Sequence, residues 1–193
     1  MQKDKGFMPA IILTIICLVT AILLVLTNQL TYQTRIRLEV EAAEADRNSM
    51  FPSAASFEPI DVSARAEEFP GIDAVYAVRD TSNALIGFVI ESHHRGYAGN
   101  LPLMVAINKE AEISNLKILA NEETPGLGKK VENKSFYEQF IGESISKEFT
   151  VNPADAGEVL IDAVAGATIS SRAVAESINQ ASAVATKLAA EVK

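Results

Sequence analysis

The chain has 193 residues, 25 acidic against 17 basic side chains, a formal net charge of -8 and one cysteine. The length allows one ordinary domain plus an accessory segment. The acidity excludes a nucleic-acid partner, because phosphate recognition needs clustered Lys and Arg. Cys17 lies inside an apolar N-terminal run, so disulfides, thiolate metal sites and Cys nucleophiles are excluded from the remainder. The adjacent His93 and His94 would point to opposite faces of a strand; they read as surface or loop histidines, and no metal site is expected.

In chain order, the first element runs from Phe7 to Leu26 without a charged residue, the length a helix needs to cross a bilayer core. A cleaved signal peptide has a shorter apolar core and a small-residue cleavage site, which TNQLTYQ does not offer. The spacing therefore predicts a cytoplasmic tail over 1–6 and a retained transmembrane helix over 7–28. Lys3 and Lys5 on one side nearly balance Arg35 and Arg37 on the other, so flanking charge orients the span weakly. The short tail and the cysteine-free acidic remainder place the N-terminus inside and the C-terminal part outside a plasma membrane, as a single-pass protein.

Residues 29–56 read as a stalk or linker: LEVEAAEADRNS is rich in good helix formers, and the Pro and Ser of MFPSAASFEP mark the entry to a domain over 57–193. There, Ala74 to Asp80 and Ala84 to Ser92 form one β-hairpin, and Leu101 to Asn108 with Glu112 to Asn121 form a second. A short helix over Ser135 to Phe140 and a strand around Val159 to Asp162 follow. The closing helix presents Val174, Ile178, Ala181, Ala185, Leu188 and Val192 at alternating spacings of four and three, an apolar stripe that should cover the sheet. Ser170 or Ser171 is placed to cap its first turn. The fold class is α+β, an antiparallel sheet with a C-terminal helix behind one N-terminal span.

Two segments carry chemistry. Asp162-Ala-Val-Ala-Gly-Ala-Thr168-Ile-Ser-Ser sets a carboxylate, a glycine and three hydroxyls just before that helix, and a helix start approached by small residues can take a phosphate. A capped helix after a tight turn reads the same residues without a ligand. Glu122-Glu123-Thr124-Pro125-Gly126-Leu127-Gly128-Lys129 has the Pro-Gly of a tight turn and a second glycine that permits close approach, so it can line a flat ligand or simply connect two elements.

Taken together, ETPGLG at Glu123 to Gly128 and DAVAGAT at Asp162 to Thr168 resemble the FMN-binding domain shared by the G subunit of Rnf electron-transport complexes and the C subunit of the sodium-pumping NADH:quinone reductase. The layout is similar as well, and GYAG at Gly96 to Gly99 resembles a glycine-aromatic turn of that family. The resemblance implies FMN bound covalently by a phosphoester to Thr168, with Gly166, Ala167 and Asp162 in the attachment segment and Glu123, Thr124 and Leu127 near the isoalloxazine. It implies no catalytic residue in this chain, which would carry electrons within an ion-translocating ferredoxin:NAD oxidoreductase. Other membrane and iron-sulfur subunits would be its partners, and a flavin transferase would load it, with Asp162 recognised or activating. Where the family places Ser or Thr, this chain has Ala165, so a changed neighbouring contact is expected. Length favours the Rnf protein over its longer quinone-reductase counterpart. A free-standing flavin carrier and a flavin-free scaffold module are the remaining alternatives.

Overall fold

The computed structural model describes residues 7–62, 67–155 and 159–191. The tail over 1–6, with Lys3 and Lys5, and Val192 of the expected apolar stripe lie outside the described residues. The chain divides into two compact units after Asp46.

Helix α1 spans Phe7–Met50. Its N-terminal half is long and apolar enough to cross a membrane, and its large side chains are exposed, Leu24 at 71%. The hydroxyls of Thr14 and Thr20 donate to carbonyls one turn back, Ala10 and Ile16.

The second unit begins at Arg47 and is built on a five-stranded antiparallel meander, order β1-β2-β3-β4-β5. The strands are β1 Ser56–Ile60, β2 Ile72–Arg79, β3 Leu85–Arg95, β4 Asn100–Asn108 and β5 Ile113–Ile118. The two expected hairpins are present. At the first turn Asp80 Oδ1 accepts from the Ser82 amide, the Ser82 hydroxyl and the Ala84 amide, while Asn83 takes a positive φ of 64°. At the second, Ala111 takes φ 62°.

Four strands are expected in the sheet and a domain start at Phe57; the structure adds β1 to the sheet. Its Pro59 belongs to the Pro- and Ser-containing segment that marks the domain entry, yet β1 is an edge strand, where a residue without an N–H is tolerated. Met50 and Phe51 are buried against the sheet, so the folded unit includes the last turn of α1. Arg47 holds that turn, its guanidinium 4.5 Å over the Tyr76 ring and 3.7 Å from Glu91. The histidines lie on β3 rather than in a loop, and both are half-buried, His93 paired to Asp73 at 2.8 Å.

Strand alternation sorts the core into two layers. Val75, Ala77, Phe88, Ile90, Leu103, Val105 and Ile107 face helix α3, Thr168–Glu191, whose Val174, Ile178, Ala181, Ala185 and Leu188 are all buried against them. Val78, Val89, Met104 and Ala106 face the other way, toward Met50 and Phe51. The link between sheet and α3 comprises a 3-10 turn Gly128–Glu132, helix α2 Lys134–Tyr137, a further 3-10 turn Glu138–Phe140, and strands β6 Phe149–Thr150 and β7 Val159–Leu160, which pair parallel as a separate ribbon. Fully buried Phe140 locks the link to the core, edge-on to Phe136 and Phe149, a side chain whose burial stabilises by about 2 to 3 kcal/mol. The side-chain amide of Asn179 on α3 pairs with both backbone groups of Phe149, which fixes the ribbon to the helix.

Candidate functional site

Three loops meet at the N-terminus of α3. In the first, Thr124-Pro125-Gly126-Leu127 closes through the Leu127 amide to the Thr124 carbonyl at 3.2 Å, and Gly126 takes φ +78°. A type II turn requires a positive-φ residue at the third position and favours Pro at the second. The second loop repeats the design: Val164-Ala165-Gly166-Ala167 closes through the Ala167 amide to the Val164 carbonyl at 2.9 Å, with Gly166 at φ +77°. The two turns meet, since a Cβ on Gly166 would lie 3.2 Å from Leu127 Cδ2. The third is the tight turn Gly96 to Gly99, closed by the Gly96 amide on the Gly99 carbonyl at 2.7 Å.

Glu123 joins all three. It is 3% exposed; one carboxylate oxygen accepts from the Ala98 amide at 3.1 Å, and the other from the Ser170 hydroxyl at 2.8 Å. Space for it exists because two neighbours have no side chain: a Cβ on Gly96 would stand 2.3 Å from Glu123 Oε1, and one on Gly128 would stand 2.7 Å from Oε2. Gly96 and Gly128 therefore make room for a buried carboxyl that fastens the loops to the helix.

Between the loops lies a cleft of about 550 Å3, lined by Tyr97, Glu123, Thr124, Leu127, Gly128 and the run Gly166 to Ser170. Six of the seven residues singled out from sequence line it together: Thr168, Glu123, Thr124, Leu127, Gly166 and Ala167. Asp162 does not. Its backbone continues the chain out of β7, and it borders a separate depression of about 360 Å3 beside Lys130, Asn133 and Gln139. Sequence reasoning missed Ile169 as a cleft residue and gave Tyr97 only a turn; their large apolar side chains are exposed there, as is Leu127.

The three hydroxyls of the attachment segment separate cleanly. Ser170 is buried and donates to Glu123. Ser171 is buried, donates to the Ala167 carbonyl at 3.0 Å and accepts from the Val164 amide at 3.0 Å. Neither caps the helix, as the spacing suggested; α3 starts earlier, at Thr168, and both serines lie within its first turn. Small serines at those sites let the loops pack closely, which periodicity alone does not reveal. Thr168 is exposed in the cleft, and among the described residues its hydroxyl has no partner.

The model of the FMN-binding domain matches residues 96–183, a span that contains every residue lining the cleft. The chain is 31% identical over 185 residues to the G subunit of the Na(+)-translocating ferredoxin:NAD(+) oxidoreductase complex of Acetobacterium woodii, covering 90% of this chain and 88% of that one. It is 30% identical over 183 residues to the G subunit of the ion-translocating oxidoreductase complex of Methanosarcina acetivorans, covering 94% and 95%. The chain belongs to the G-subunit family of ion-translocating oxidoreductase complexes. The fold agrees with a crystal structure of the C subunit of the Na(+)-translocating NADH-quinone reductase from Parabacteroides distasonis, at a TM-score of 0.54, 23% identity, and 74% and 80% coverage.

The cleft suits an FMN by its own chemistry. Its volume lies within the usual range for cofactor sites, about 300 to 1,000 Å3. Tyr97, Leu127 and Ile169 offer apolar surface to a flat ring. No Lys, Arg or His lines it, so a phosphate there would be met by the unpaired backbone amides and positive end of α3.

Proposed function

We propose that this chain is the electron-carrying subunit of a membrane-bound ion-translocating ferredoxin:NAD oxidoreductase, and that it holds FMN covalently through a phosphoester on Thr168. The observation that carries the reading is the state of the three hydroxyls. Ser170 and Ser171 are buried with their protons committed, whereas Thr168 stands free in the cleft at the start of a helix. Only an exposed hydroxyl is accessible to an enzyme that builds the bond.

Attachment would be catalysed by a separate flavin transferase using FAD. Thr168 Oγ1 bonds to the FMN phosphorus, the pyrophosphate bond to AMP breaks, AMP leaves, and the hydroxyl proton passes to a base of the transferase. Asp162, exposed six residues upstream, is the group that transferase would recognise or use. Once held, FMN supplies one- and two-electron chemistry that bridges carriers of different type. This chain's residues would do the positioning: the α3 amides would hold the phosphate, Leu127, Ile169 and Tyr97 would cover the ring and exclude water, and Glu123 would keep the loops closed on it. Thr124, Gly166 and Ala167 line the same cleft and would border the bound cofactor. Membrane and iron-sulfur subunits of the complex would be its redox neighbours.

The apolar half of α1 would anchor the chain in the plasma membrane as a single span over about 7–28, with Lys3 and Lys5 inside and the domain outside. Full-length protein expressed with a competent flavin transferase, then denatured and freed of small molecules, should keep flavin absorbance and fluorescence. A colourless denatured chain would favour a flavin-free scaffold module and reject the carrier reading. A cytoplasm-only reporter fused after Lys193 should be inactive; strong activity would reverse the orientation.

A further inference from the structure

We propose that Gln139 is a positioning residue for flavin attachment, holding the segment Asp162 to Thr168 in the shape the transferase reads; the proposal rests on Thr168 being the acceptor. As far as Ile161 the backbone is paired by strand bonding, the Ile161 amide to the Thr150 carbonyl at 2.7 Å. Beyond it the ribbon ends, and Asp162 would have no backbone partner. Gln139, carried on the Glu138–Phe140 turn, supplies both missing groups. Its side-chain Oε1 accepts from the Asp162 amide at 2.8 Å, and its Nε2 donates to the Asp162 carbonyl at 3.2 Å. A side-chain amide has the donor and acceptor of a peptide group, so this pair extends the ribbon by one residue without another strand.

Gln139 is itself anchored, Nε2 also donating to the Phe136 carbonyl at 3.1 Å, and its neighbour Phe140 is fully buried. The far end of the segment is pinned independently by Ser171 on the Val164 amide and by the Gly166 turn. Between these supports the side chains of Asp162, Ala163, Ala165 and Thr168 are all exposed. Val164 packs against the core and Ala167 is buried, so the segment is held from behind while those four side chains stay open to another macromolecule. A loose segment would have to be ordered on the transferase, a penalty of about tenfold in association for each residue fixed.

The test measures transferase kinetics with the full-length chain as acceptor and FAD as donor, scored by protein-bound flavin fluorescence in a denaturing gel. Gln139→Met keeps the side chain's length and removes both hydrogen bonds to Asp162 together with the one to the Phe136 carbonyl. It should fold with a cooperative melt and lower kcat/KM for the acceptor by about tenfold or more, chiefly through KM, while reaching full labelling in time. Gln139→Glu keeps the acceptor for the Asp162 amide but sets an oxygen against its carbonyl, and should show the same KM defect. It carries the test if Gln139→Met does not fold. A merely structural role would lower melting temperature and leave kcat/KM unchanged well below it; wild-type kcat/KM in a folded variant overturns the proposal. A wild-type chain that takes no flavin overturns the reading of Thr168 and this proposal with it.

Discussion

Substituting Gly128 by Ala tests the joint on which the cleft depends. The new Cβ would lie 2.7 Å from both Glu123 Cβ and Oε2, and 2.8 Å from Ser170 Oγ. The two oxygens end rotatable side chains and can swing aside, but only by giving up the hydrogen bond between them, about 1.5 kcal/mol for a carboxylate acceptor. Glu123 Cβ is fixed to the backbone, so its overlap must be relieved by moving the loop, about 1 to 3 kcal/mol for overpacking of this kind. Against this stands a gain of at most about 1 kcal/mol, because Gly128 opens a 3-10 turn and Ala is the better helix former. Overlap wins, and the net loss is about 2 kcal/mol, or roughly 4 to 8 °C in melting temperature for a domain of this size. Two neighbouring glycines calibrate the result. Gly126→Ala meets no atom within 4 Å but must hold φ +78°, about 1 kcal/mol; Gly99→Ala meets nothing and should stay within about 0.5 kcal/mol of wild type. The assay is thermal unfolding of the full chain in detergent, followed by circular dichroism. Equal melting of the Gly128→Ala and Gly99→Ala proteins would refute the role given to the Glu123 joint.

Gly87→Ala should be the most damaging glycine change outside the cleft, since its Cβ would stand 2.2 Å from the Ile107 carbonyl oxygen and 2.7 Å from the Phe51 ring; failure to obtain folded protein is expected, and a normal melt would count against the β3 to β4 register. Arg47→Ala removes the cation–π contact to Tyr76 and the pair with Glu91, so the end of α1 should become protease-sensitive around residues 47–55, at a loss of about 1 to 2 kcal/mol; unchanged protection would show that Met50 and Phe51 suffice. The Ser82 hydroxyl above all, with the Ala84 amide, holds the Asp80 carboxyl below the usual aspartate value. A depressed carboxyl stabilises the fold above the unfolded-state value and loses that contribution as pH falls through the folded one. Carbon-detected NMR should therefore place the Asp80 midpoint below that of an exposed aspartate, and Ser82→Ala should raise it. A midpoint at the ordinary value would remove the turn's electrostatic account.

Sequence reveals most where one period dominates. The uncharged run from Phe7 and the four-three stripe of α3 are legible because a single face or a whole circumference is apolar. The hairpins are legible because alternation stops at Asp80 to Asn83 and again at Asn108 to Ala111. Strand β1 escapes because its five residues carry a proline, and an edge strand needs only half of the usual hydrogen bonds. The ribbon of β6 and β7 escapes because two-residue strands have no period at all.

At the site, the glycine-rich segments announce close approach without saying what approaches. The structure answers with a buried carboxyl, since Glu123 fills the room that Gly96 and Gly128 leave. The assignment of Ser170 or Ser171 as a helix cap fails for a related reason: hydroxyls near a helix start have several local partners, and tertiary contacts with Glu123 and Val164 outcompete capping. Gln139 could not be singled out beforehand, because its partner is a backbone 23 residues away.

The most direct measurement is peptide-level mass spectrometry on full-length protein co-expressed with a flavin transferase, alongside Thr168→Ala. Thr168 is exposed, so its replacement should cost little stability. The account predicts a gain of one FMN less one water on the peptide containing Thr168, localised to that residue by fragmentation, and no gain in the folded variant. Flavin found on Ser170 or Ser171, retained by Thr168→Ala, or missing from wild type while the same transferase labels another acceptor would contradict it.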